Sequence, residues 1–128
     1  MSVSKVRNIA LWVLQVLLAL AFIAAGGGKL GGTAVMVQQF DTIGLGQWFR
    51  YLTGALETGS AVLLLIPGLA AFGALTLTCV MVGAIIAHLT VLHTPPAAPA
   101  LLLVVAVLVL WGRWTQIAGR FRVRAESR

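Results

Sequence analysis

The sequence predicts an all-α integral membrane protein, a four-helix bundle with a short interfacial helix between its first and second spans. Three observations predict it. Hydrophobic residues make up 60% of the chain and charged residues only 9%, with a mean hydropathy of +1.02, far outside the balance of soluble domains. Four segments, at about 9–28, 48–66, 70–92 and 97–114, are apolar enough to enter a bilayer. The basic residues behind the net charge of +6 cluster at the chain ends, where membrane topology explains them and nucleic-acid binding does not. The 128 residues therefore read as one transmembrane domain with a basic tail at 113–128.

The first span follows Lys5 and Arg7 and carries Gln15 as its one strongly polar side chain. It is longer than the ~7–15-residue core of a signal peptide, which favours a retained span, although Ala24 and Gly26 could occupy small cleavage positions. Gly26, Gly27 and Gly28 are expected to end the helix, with Lys29 marking the membrane surface. Gln15, Phe22 and Lys29 are seven apart and fall nearly on one face. In the 30–49 connection, Met36, Phe40 and Ile43 recur at helical spacing opposite Gln38, Gln39 and Asp41. That pattern predicts a short helix on the bilayer, able to cap what lies beneath; a plain connector with one apolar face is the competing reading.

The second span opens with Trp48 and Tyr51 at headgroup level and carries a carboxylate, Glu57, about 10 Å of helix beyond Arg50. A charge in hydrocarbon costs about 2.5–3.5 kcal/mol on insertion scales, so Glu57 needs a partner or a purpose. Arg50, Thr53, Gly54, Glu57, Ser60 and Ala61 share one helical stripe, which is expected to face protein. Pro67 and Gly68 form a tight turn, making the third span an antiparallel neighbour. Thr76, Cys79, Gly83 and Ala87 in the third span are small residues expected to allow close helix contact, with Cys79 as packing. His88 lies near that span's end, about 6 Å of helix short of Leu92. His93, Thr94, Pro95 and Pro96 form the next connection, Pro99 sits in the first turn of the last span, and the aliphatic run 101–110 reads as lipid-facing or structural.

Lys5 and Arg7 precede the first span, and Arg113, Arg120, Arg122, Arg124 and Arg128 follow the last, so both termini are expected in the cytoplasm. An even number of spans requires that they share a side. The arginine tail reads as topology marking or as a surface for anionic headgroups.

With this topology Lys29, Glu57 and His88 all occupy the outer third of the membrane, with Arg50 and His93 at the mouth of the cluster, and nothing comparable is expected in the inner half. Two readings are open. Glu57 could pair with Lys29, Arg50 or His88 merely to hold the bundle in register, although a buried ion pair is rarely a net gain over apolar packing. Alternatively, an acid, an imidazole and an ammonium in a low-dielectric pocket could bind a polar head group and exchange protons with it. A quinone head fits that description, with His88 or Lys29 donating to a carbonyl oxygen and Glu57 carrying a proton. Glu57 and His88 are then the catalytic candidates, and Lys29, Glu57, His88, Arg50 and His93 the binding set. No metal is expected, because neither HExxH nor paired-cysteine spacing is present, and the spacing of His88 and His93 near the end of one span argues against a haem held by both within one subunit. Phosphate-loop, dinucleotide and nucleophile-elbow motifs are absent.

The run GGGKL (26–30), the stretch QFDTIGLGQWF (39–49), ETGSAVLLLIPG beginning at Glu57, and AAFGALTLTCVMVGAIIAHL containing His88 resemble, in this order, the DoxX family of small four-helix bacterial membrane proteins. The resemblance covers about 9–112. It implies a four-helix bundle in the bacterial plasma membrane, a link to quinone (menaquinone or ubiquinone) and redox work, and Lys29, Glu57 and His88 as the site. The family takes its name from membrane subunits of a thiosulfate:quinone oxidoreductase, so the expected role is a quinone-interacting subunit with a soluble or membrane redox partner. Its rivals are a small transporter or permease subunit and a non-catalytic scaffold, and self-association into a homo-oligomer is compatible with all three.

Overall fold

A computed structural model describes residues 2–127, and every regular element among them is helical. Helix α1 covers Val3–Gly31, α2 Ala34–Ile43, α3 Gln47–Leu64, α4 Ala70–Ala87, α5 Ala97–Gly112 and α6 Thr115–Glu126. A π-helical turn, His88–Leu92, continues α4. Four of these helices make the bundle: α1 packs mainly on α3, α3 on α4, α4 on α5, and α5 closes the ring against α1. The segments Val3–Gly31 and Ala70–Leu92 are long and apolar enough to cross a membrane, and α5 with α6, joined by a 42° bend, would make a third if the pair were counted as one span. Helix α3 is less apolar because it carries Gln47, Arg50 and Glu57, and it sits between α1 and α4. Its polar stripe is its buried face: Arg50, Gly54, Glu57, Ser60, Ala61 and Leu64 point inward, while Leu52 and Leu56 are exposed.

Helix α1 does not stop at its three glycines. It runs on to Gly31 and is capped by Gly32 at φ 69°, a left-handed conformation natural to glycine, whose N–H reaches the Gly28 and Lys29 carbonyls. The glycines serve closeness instead. A Cβ on Gly26 would lie 2.9 Å from the Gly54 carbonyl oxygen and would collide with the Thr58 hydroxyl, and one on Gly54 would lie 3.0 Å from the Gly26 carbonyl oxygen. Tertiary packing across this crossing offsets the ~1 kcal/mol per residue by which glycine disfavours a helix.

The core runs along the bundle axis through Leu18, Phe22, Leu64, Leu77, Ala106 and Val109. In α4 the close-packed face is Ala70, Gly73, Ala74 and Leu77, not the expected stripe; a Cβ on Gly73 would sit 2.6 Å from the Ser60 carbonyl oxygen. Gly83 meets nothing, and Cys79 is exposed rather than packed. The helix is apolar on every side, so small residues alone did not select its contact face.

The basic tail is also more ordered than its composition suggests. Residues 115–126 form α6, tied to the start of α4 by the Ala71 N–H donating to Gln116 Oε1 at 3.0 Å and by Arg120 lying 5.4 Å above the Phe72 ring. Arg128, part of the expected tail, lies outside the described residues.

Candidate functional site

Helix α2 lies across one end of the bundle, packed on α3, the π turn and α1. Phe40 is buried beneath it against Phe49, ring centroids 5.8 Å apart, and Gln47 Nε2 donates to the Val37 carbonyl at 3.0 Å, fastening α2 to α3. Met36, Phe40 and Ile43, the apolar face legible in the sequence, thus become a lid. Below it is a cavity of about 510 Å³, mostly apolar, whose titratable lining includes Lys29, Glu57 and His88.

Each of the three reaches the cavity from a different element. Lys29, in the last turn of α1, turns into the bundle instead of staying at the surface, and its Nζ lies 3.1 Å from Glu57 Oε2. The side chains are 14% and 2% exposed, and this is the only ion pair among the described residues. Coulomb attraction at low dielectric offsets part of the desolvation of both charges, and the short hydrogen bond supplies more. His88 opens the π turn. Its Nδ1 shares a hydrogen bond of 2.5 Å with the Thr94 hydroxyl, while the Thr94 N–H donates to the His88 carbonyl at 3.0 Å. With Nδ1 engaged, Nε2 is the ring atom left to a ligand. A π turn is a local departure from α-helix that is frequent at functional sites.

The other two expected members are not brought to the cavity wall. Arg50 is 5% exposed, but its Nε donates to Gln47 Oε1 at 2.7 Å, its Nη1 donates to the Lys29 carbonyl, and its guanidinium stacks 4.3 Å over Tyr51. It satisfies the carbonyl end of α1, where a cation is favoured, and thereby fixes the backbone that carries Lys29. His93 follows the π turn at φ 51°, exposed and away from the cavity, with its N–H on the His88 carbonyl.

Sequence reasoning missed contributions from three places. Cys79 and Gly83 on α4, and Pro99 and Leu102 on α5, line the cavity, so the last helix is not merely structural. The opposite half, where no comparable cluster was expected, holds a polar tie of its own. There Gln15, 1% exposed, donates from Nε2 to the Leu64 carbonyl at 2.8 Å, and Arg113 Nε donates to Gln15 Oε1 at 2.7 Å. Gln15 is about 21 Å of helix from Lys29, so the two polar clusters stand near opposite ends of the bundle. The signal was present: one polar residue in the first span and one basic residue just after the last face each other once the bundle closes.

A family model described as the DoxX-like family matches residues 13–111. The match spans most of α1 through nearly all of α5 and includes every residue of the cluster. No curated protein and no solved structure matches the chain.

Proposed function

This chain belongs to the DoxX-like family, and from that premise we propose that it is a quinone-interacting membrane subunit of a redox system, with the cavity under α2 as its head-group site. The observation that carries this reading is the Lys29–Glu57 ion pair, set in the wall of an apolar cavity that His88 also lines. About 510 Å³ falls within the ~300–1,000 Å³ of small-molecule sites, and mostly apolar walls with a few convergent polar groups are their usual construction. Leu52, Leu56 and Cys79 are exposed where they meet the cavity, so an isoprenoid tail has an apolar path out along the bundle.

When bound, a quinone supplies two-electron chemistry coupled to proton uptake at its carbonyl oxygens. The chain's own groups hold and orient. Lys29 presents an ammonium aimed by its pairing with Glu57. Glu57, screened from water, holds or passes a proton at its carboxylate, and the His88 imidazole, fixed through Thr94, offers Nε2 to a carbonyl oxygen. Electrons arrive from a separate redox partner, soluble or membrane-bound. By the charge rule, the side where α1 begins and α5 ends faces the cytoplasm of a bacterial plasma membrane, and the cavity lies in the outer leaflet.

A purely structural role for the ion pair is disfavoured by the helix crossing beside it. Gly26 and Gly54 already bring α1 and α3 to backbone contact, so no charge is needed to hold them in register. Mass spectrometry of lipids retained by the detergent-purified protein tests the proposal. Menaquinone or ubiquinone is expected with the wild type and depleted at least several-fold in His88→Ala; equal amounts in both, or none in either, would remove the quinone from this site.

A further inference from the structure

At the end of the bundle opposite the cavity, α1 and α5 meet through two crossed pairs. Arg7 of α1 lies 5.5 Å from the Trp111 ring of α5, and Arg113, just beyond α5, lies 5.9 Å from the Trp12 ring of α1. Arg7 Nη2 donates to the Gly112 carbonyl at 3.3 Å, and Arg113 Nε is taken by Gln15. Among the described residues nothing acidic answers them: of the three acidic side chains, Asp41 is on α2, Glu57 is paired with Lys29, and Glu126 ends α6 without an ion pair. Arg113 Nη2 is buried and has no hydrogen-bond acceptor. Two cations, each set against a tryptophan of the facing helix, with a buried unused donor on one of them, describe a site short of one anion.

We propose that Arg7 and Arg113 bind the phosphate of an anionic phospholipid headgroup in the leaflet on the side where α1 begins. Guanidiniums suit a phosphate because their planar forks match its oxygens. Trp12, Trp111 and Trp114 place this site at the membrane–water interface, where tryptophan is favoured and where headgroup phosphates lie. The inference is independent of what the cavity at the other end binds.

The test is thermal unfolding of the detergent-purified protein titrated with phosphatidylglycerol, with phosphatidylcholine or inorganic phosphate as separate arms. Phosphatidylglycerol is expected to stabilise saturably, and phosphatidylcholine and millimolar inorganic phosphate are not. Arg7→Gln, which leaves the Gln15 link intact, should weaken the apparent affinity about fivefold, the worth of one basic residue near a surface. The double variant Arg120→Gln/Arg124→Gln removes more charge from the same end and should keep the wild-type affinity. An unchanged affinity in Arg7→Gln, or an equal loss in the α6 double variant, would overturn the site in favour of general surface charge. An equal response to inorganic phosphate would overturn the lipid as its ligand.

Discussion

Lys29 and Glu57 differ in what each leaves behind when replaced. Lys29→Met strands a carboxylate that is 2% exposed, and breaking a buried pair from one side costs about 3–5 kcal/mol. Glu57→Gln keeps the shape, presents a neutral acceptor to the ammonium, and is expected to cost clearly less. Chemical or thermal unfolding in detergent reads the order directly, and equal losses would mean that the pair is not desolvated as the geometry indicates. The glycines of α1 give a sharper contrast. Gly26→Ala places a methyl against the Gly54 carbonyl and the Thr58 hydroxyl and should destabilise by about 1–3 kcal/mol. Gly27→Ala meets open space and should be neutral or stabilising by up to about 1 kcal/mol. These neighbours look alike in sequence, because which of three glycines faces α3 depends on a partner helix that a one-dimensional pattern does not contain.

Among the helices, legibility followed polarity. The inward face of helix α3 was readable, save for half-buried Thr53 and the unexpected Leu64, because Arg50, Glu57 and Ser60 marked it, and α2 was readable because Phe40 and Asp41 marked opposite faces. Helix α4 offered no such marker, so its packing face was misplaced onto Cys79 and Gly83 while Gly73 and Ala74 made the real contact. The π turn was invisible, since nothing in HLTVL distinguishes it from one more α-helical turn. Arg50, expected at the mouth of the cluster, donates to Gln47 and to the Lys29 carbonyl and does not line the cavity. Gln15, the one strongly polar side chain of the first span, joins α1, the end of α3 and Arg113. Gln15→Leu therefore strands the Leu64 carbonyl and Arg113 Nε, and a loss of about 1–3 kcal/mol is expected in unfolding experiments; a neutral result would show that water satisfies both.

The molecule as a whole is asymmetric between its two ends. One carries the lidded cavity with Lys29, Glu57 and His88, and the other carries arginines and tryptophans. Composition announced the membrane, but only closure of the four-helix ring places residues 29, 57 and 88 around one space. That arrangement predicts that an impermeant thiol-reactive probe, applied to intact cells, will modify a cysteine introduced at exposed Leu45 beside the lid and spare one introduced at exposed Ala125 in α6; the reverse pattern would invert the orientation. The most direct test of the central claim is a quinone titration followed by thermal unfolding, performed on the wild type, Glu57→Gln and His88→Ala. Binding to the folded state alone raises stability by about 2.7 kcal/mol at a hundredfold excess over Kd. The account predicts a saturable rise in Tm for the wild type that is diminished or lost in both variants while their ligand-free Tm stays close to wild type. An identical rise in all three proteins, or no rise in the wild type, would contradict it.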